Sequence, residues 1–273
     1  MTIEEKINFL VNKKKYFFED LVMLVEVLRS EKGCPWDREQ SHQSIRKDFI
    51  EETYEVIEAI DTENPELLRE VLGDVLLQVV FHARIEEETN AFTIDDVAND
   101  ICAKLIHRHP HVFGAVEADT SEKVLANWEV IKSEEKERKT ILDKLRAIPP
   151  MLPALMRAEK VGKKAKCFDF ESADAVIDKI YEELEEFKVA MKNNDAVAMD
   201  EELGDLLLTI SSLGRKTNIE TEFSLQKATN KFIDRFEKLE SLVAAQGENI
   251  ENMSMNELDK IWDENKHKIS ENL

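Results

Sequence analysis

Four acidic residues late in this 273-residue chain have the spacing of a ligand set: Glu183 and Glu186 are three apart, as are Glu202 and Asp205. Residues three apart share a helix face. Two antiparallel helices joined by a short turn would bring all four carboxylates to one seam between apolar faces. Four anions crowded there cannot all stay ionised without a cation, because burial and like charge both disfavour the ionised form. Oxygen ligands alone point to a hard divalent ion, Mg²⁺ first and Mn²⁺ second. A single Glu-x-x-Glu pair is more simply a solvated helix face.

Repetition favours the ligand reading. Glu51-Glu52-Thr-Tyr-Glu55 recurs as Glu182-Glu183-Leu-Glu-Glu186, an offset of 131 residues. At the same offset Leu72-Gly73-Asp74 recurs as Leu203-Gly204-Asp205, and Ala59 falls on Ala190. Lys104-Leu-Ile-His-Arg108 then faces Lys231-Phe-Ile-Asp-Arg235 after a four-residue difference in the connecting loop. Self-similarity over this distance indicates a duplication. The copies are unequal, since Val71 stands where the second copy has Glu202. Glu52, Glu55 and Asp74 therefore form an incomplete secondary site, with Glu70 rotated about 100° away. The intact quartet places the main site in the second copy. Gly73 and Gly204, beside the two aspartates, would let a helix or ligand approach closely.

Cations stand out in a chain with 37 Lys and Arg against 58 Asp and Glu, a formal charge of −21. Lys227, Lys231 and Arg235 are four apart in succession and form one stripe. Trp262 and Lys266 pair an indole with a cation, Lys179 precedes Glu183 by one turn, and Lys160, Lys163, Lys164 and Lys166 read as a basic loop. A divalent ion, a basic stripe and an indole suit a nucleotide polyphosphate. Taken singly, Lys227 reads as a surface salt-bridge partner.

The elements that must position these groups are helical. Only 7 glycines and 6 prolines argue against turn-rich β architectures. Three- and four-residue periodicity predicts helices over 43–60, 66–88, 174–192, 196–216 and 224–244, a further one capped by Thr93, and a last one carrying Trp262. VLLQVVF and LLLTISSL are apolar around most of the helix, so they belong in a bundle or a subunit interface. A charged helical stretch over 120–147 ends at Pro149-Pro150-Met-Leu-Pro153. This divides the chain into a first domain (1–125), a connector (126–153) and a second domain (154–273). The negative field argues against nucleic-acid and anionic-membrane partners. Three scattered cysteines encode neither a disulfide framework nor a zinc ribbon. No run is apolar enough for a membrane span, and charges interrupt every apolar stretch near the N-terminus, so the expected location is cytoplasmic.

Gly33-Cys-Pro-Trp36-Asp37, Gln40-Ser-His42, EETYE, LGD and Arg108-His-Pro-His-Val-Phe113 resemble the N-terminal half of MazG-type nucleoside triphosphate pyrophosphohydrolases. EELEE, EELGD, Lys231–Arg235 and Trp262–Lys266 are similar to their C-terminal half. The resemblance covers nearly the whole chain. It implies an all-α protein with two tandem bundles of the all-α NTP pyrophosphatase type, Mg²⁺-dependent and homodimeric. It also implies hydrolysis of NTPs and dNTPs to the monophosphate and pyrophosphate. Carried over position by position, the metal ligands are Glu183, Glu186, Glu202 and Asp205. The nucleotide contacts are Lys179, Lys231, Arg235, Trp262 and Lys266, with Lys227 on the same stripe. Glu182 or Glu183 would take the proton of the attacking water.

Rival readings are a narrower dUTPase-like or phosphoribosyl-ATP pyrophosphohydrolase, and a non-catalytic helical interaction protein. Glu39…His42 and Glu264…His267 have di-iron spacing but lie off the quartet helices. His107, His109 and His111 alternate in what reads as an extended loop, and Trp128 on the charged connector reads as packing. No P-loop or Rossmann glycine pattern occurs.

Overall fold

Helix is the only regular structure among the described residues of the computed structural model. These are residues 1–135 and 140–270, with side chains at all of them but 129, 133–135 and 265–270. The chain divides into two units, Met1–Lys132 and Ser133–Leu273. The proline run at 149–153 lies inside the second unit.

The first unit contains α1 (Ile3–Asn12), α2 (Phe18–Arg29), α3 (Pro35–Glu39), α4 (Arg46–Asp61), α5 (Pro65–Glu88), α6 (Ile94–Arg108) and α7 (Pro110–Phe113). The boundary between the units falls within α8 (Ser121–Glu135). Val25 of α2, Ile45, and Val80 and Phe81 of α5 form its core. Arg29, buried beside Phe81, ties this core to the C-terminal end of α3. Its Nε and Nη2 each lie 2.8 Å from Glu88 carboxylate oxygens, and Nη1 donates to the carbonyls of Asp37 (2.6 Å) and Gln40 (3.1 Å). Breaking such a half-buried, charge-assisted network leaves unpaired groups and costs more than an exposed pair. α6 starts at Thr93 with reciprocal Thr93 and Asp96 capping bonds, as the sequence predicts.

The second unit contains α9 (Ile141–Arg146), α10 (Ala154–Lys164), α11 (Ala173–Lys192), α12 (Ala196–Thr217), α13 (Thr221–Ala245) and α14 (Met255–Ser270). α11 and α12 form the most extensively packed helix pair. Buried Glu159 of α10 accepts from the Thr221 backbone N (2.8 Å) and Oγ1 (2.9 Å), which satisfies the start of α13. Asp169 pairs with Arg215 through both carboxylate oxygens and with Lys216 at 3.0 Å. These two braces hold α10, α12 and α13 together.

The duplication is visible in the backbone. Glu63 and Asn194, 131 residues apart, both adopt left-handed φ, 50° and 53°. Each precedes a capping residue, Asn64 or Asp195, whose backbone N donates to a buried alanine carbonyl, Ala59 O at 3.1 Å or Ala190 O at 3.0 Å. One turn geometry thus sets both hairpins.

Several sequence expectations change. The charged stretch 120–147 is two helices, α8 and α9, with 136–139 outside the described residues. Lys160, Lys163 and Lys164 lie on α10 rather than in a loop, because 154–164 alternates apolar and basic residues at helical spacing. His107 lies in the last turn of α6 and His111 within α7, so the histidine run is largely helical. A Cβ on Gly73 or Gly204 would meet no atom within 4 Å, so neither glycine serves close packing within its unit.

Left-handed φ disfavours glutamate and is tolerated by asparagine. Glu63→Asn should therefore stabilise the protein by roughly 0.5–1 kcal/mol. A urea denaturation midpoint unchanged or lowered by the substitution would contradict this.

Candidate active site

The α11–α12 hairpin sets the site. Its turn at 193–195 makes the helices antiparallel, so Glu183 and Glu186 of α11 face Glu202 of α12. One carboxylate oxygen from each of the three lies within 4.8 Å of the others. Glu183 is buried, Glu202 half-buried and Glu186 exposed, so the cluster runs from the core to the surface. It meets a groove of about 400 Å³ lined by Glu182, Glu186, Val189, Asp195 and Glu202.

The electrostatics match the crowding. Burial first, then Glu186, Glu183 and Asp205, push the Glu202 carboxyl above its ordinary range. Lys179 supplies the nearby countercharge, its Nζ 2.8 Å from Glu182 Oε1 and 2.9 Å from Glu183 Oε1. Those two bonds hold its ammonium well above the usual lysine range. Asp205 is exposed and lies outside the group of three, though close enough to act on Glu202.

Three of the four quartet carboxylates thus come together as the spacing predicts. Opposite oxygens around a Mg²⁺ ion stand about 4.2 Å apart and around Ca²⁺ about 5 Å, so an all-oxygen cluster of this width fits a hard cation. The first unit does not repeat the arrangement. Val71 is 2% exposed and fills the place of Glu202 with an apolar side chain. Burial and then Asp74 and Glu55 still raise the Glu52 carboxyl. Yet no second group of three metal-ligating side chains converges this closely among the described residues.

The basic stripe is split. Lys227 lines a different cavity, of about 560 Å³, with Lys163, Arg215 and Ser224 near the C-terminal end of α12. Gly214, on the wall of that cavity, is twelve residues from Glu202, about 18 Å along the helix. Lys227 therefore faces this second cavity, away from the carboxylate groove. Lys231 is exposed and Arg235 half-buried, one and two turns further along α13. Trp262 is not a free indole. Its ring centroid lies 5.6 Å from that of Phe232, which stacks on Phe236 at 6.1 Å. The side chain of Lys266 lies outside the described residues. The braces Glu159–Thr221 and Asp169–Arg215 gave no sequence signal, since each joins residues 46 or more positions apart.

The duplicated carboxylate hairpin coincides with a known domain. The MazG nucleotide pyrophosphohydrolase domain matches residues 40–113 and 171–240. The chain belongs to the MazG family. It is an enzyme of that hydrolase class. It is 45% identical over 251 residues to the nucleoside triphosphate pyrophosphohydrolase/pyrophosphatase MazG of Thermotoga maritima, covering 91% of this chain and 95% of that protein. It is 41% identical over 247 residues to the nucleoside triphosphate pyrophosphohydrolase of Escherichia coli, covering 89% and 94%. Both matched segments stop before α8 and α14.

A carboxyl whose pKa is raised on folding favours the fold when protonated and opposes it once ionised. The contribution of Glu202 is thus lost as pH rises from about 4.3 through its raised pKa. Glu202→Gln should raise the melting temperature of the metal-free protein at pH 7, measured by calorimetry in EDTA. An equal or lower value would contradict the crowding.

Proposed function

We propose that the C-terminal unit hydrolyses nucleoside and deoxynucleoside triphosphates to the monophosphate and pyrophosphate. The observation that carries this reading is the convergence of Glu183, Glu186 and Glu202 beside an open groove, in the copy that keeps the full quartet. The names of the Thermotoga and Escherichia relatives agree with it.

Glu183, Glu186, Glu202 and Asp205 would hold Mg²⁺, with Mn²⁺ as a substitute. When bound, the ion would supply positive charge to the triphosphate oxygens and acidify a water. Glu182 is exposed at the rim of the groove and outside the group of three, so its carboxylate takes the proton of the water attacking the α-phosphorus. Lys179 orients that carboxylate through its 2.8 Å bond. Lys231 and Arg235 bind phosphate oxygens, and Trp262 with Phe232 offers an aromatic surface to the base. The net charge of −21 leaves free nucleotides, not nucleic acid, as the phosphate ligands.

We also propose a homodimer. Leu203, Leu207 and Ile210 of α12 are 46%, 44% and 37% exposed at helical spacing. Leu72 and Leu76, the matching positions of α5, are exposed too. An apolar stripe of this kind on both copies calls for a partner surface. Among the described residues no helix is long and apolar enough to cross a membrane, and Cys34, Cys102 and Cys167 are unpaired.

Losing an outer-shell group at a metal site typically costs 10- to 100-fold, so losing a ligand should cost about 100-fold or more. Glu183→Gln and Asp205→Asn should each reduce pyrophosphate release from NTPs by that amount. Wild-type rates in both variants would remove the seam from the reaction. Leu207→Glu should shift the molar mass in solution from two chains towards one, read by light scattering. A wild-type mass of one chain would refute the dimer.

A further inference from the structure

The repeat extends past the matched domains. Trp128-Glu-Val-Ile-Lys132 on α8 has the same Trp-x-x-x-Lys spacing as Trp262-Asp-Glu-Asn-Lys266 on α14. Each tryptophan follows a Lys-x-x-x-Arg pair on the third helix of its copy, Lys104–Arg108 or Lys231–Arg235. In each unit the indole meets that third helix. Trp262 lies against Phe232, while the Arg108 guanidinium carbon lies 5.8 Å from the Trp128 ring centroid. Lys132 Nζ lies 5.0 Å from the same centroid. The first unit has therefore kept the aromatic and cationic end of the site while altering the carboxylate end.

What changed at the carboxylate end decides which ligand still fits. Val71 replaces Glu202, Asp48 replaces Lys179 and Asp100 replaces Lys227. A triphosphate extending towards Glu52, Glu55 and Asp74 would meet those acids and Asp48, with the nearby Lys47 already paired to Glu51 at 2.7 Å and no complete ligand set to recruit a cation. Its β- and γ-phosphates would be repelled. A single phosphate close to the ribose stays beside Lys132 and avoids that wall.

We propose that the first unit is a second nucleotide site, which binds a nucleoside monophosphate without metal and does not hydrolyse it. The base stacks on Trp128 in place of the Lys132 ammonium, a flexible side chain one turn away on the same helix. Lys132 then pairs with the phosphate, and Arg108 keeps the indole in place. The ligand is the product class of the C-terminal reaction, so this part of the proposal rests on the function proposed above.

The test uses the whole protein in excess EDTA, titrated by calorimetry with AMP, GMP, CMP and UMP in turn. At least one should bind at one molecule per chain. Trp128→Leu and Lys132→Gln should each weaken it by about tenfold or more, since loss of a stacked base or a charge-assisted phosphate contact is of that order. Trp262→Leu should leave it unchanged. Lys132→Gln alters one half-exposed side chain, which keeps the test valid if Trp128→Leu fails to fold. The proposal is overturned if none of the four binds in EDTA, or if binding is lost in Trp262→Leu and kept in both first-unit variants. NTP turnover with Mg²⁺, measured separately, should persist in Lys132→Gln; its absence from the wild type would count against the C-terminal reading alone.

Discussion

Two helices joined by a three-residue turn and packed along their length must bring together whatever lines their seam. In the second unit that seam is acidic, so folding α11 against α12 forces Glu183, Glu186 and Glu202 into mutual repulsion. The groups around it answer this constraint. Lys179 offsets the innermost charge, Glu202 resists ionisation, and the cluster grades outward to an exposed carboxylate at a groove. Like charges held this close oppose folding, and a cation bound among them would relieve that opposition.

The first unit shows the same hairpin with the conflict reduced, though Asp74 and Glu55 still crowd Glu52. Its turn repeats that of the second at Glu63-Asn64, yet Val71 replaces the facing glutamate by a buried apolar contact. Replacing a partly buried anion by a well-packed aliphatic side chain removes its desolvation penalty. What remains is a scaffold with exposed Leu72 and Leu76 in the same register as Leu203 and Leu207. The duplication thus preserved the surfaces that the hairpins present outward, while the seams diverged.

Much of the site was legible because it depends on local periodicity. Glu183 and Glu186 share a face at any helix placement, and a short turn leaves α12 little choice but to run back along α11. The same logic stops short for Lys227, whose spacing with Lys231 and Arg235 says that they share a face of α13 but not what that face meets along 25 residues. Nor does spacing say that Trp262 lies against Phe232, or that Gly73 and Gly204 have no neighbour within their own units. The braces from Glu159 to Thr221 and from Asp169 to Arg215 join residues too distant in sequence for any spacing rule to reach.

The sequence by itself determined the helical class, the duplication, the pairing of carboxylates on single helix faces and the absence of a fourth carboxylate at Val71. Each of these follows from residue type and from repeats of three, four or 131 positions. Tertiary structure decided which faces meet: that Asp205 stands outside the tight group, that Lys179 reaches Glu183, and that Lys227 opens on another cavity. The physical reason is that helical periodicity sets direction around an axis. Where two axes cross is set by side-chain packing and by long-range polar braces, which no local pattern encodes.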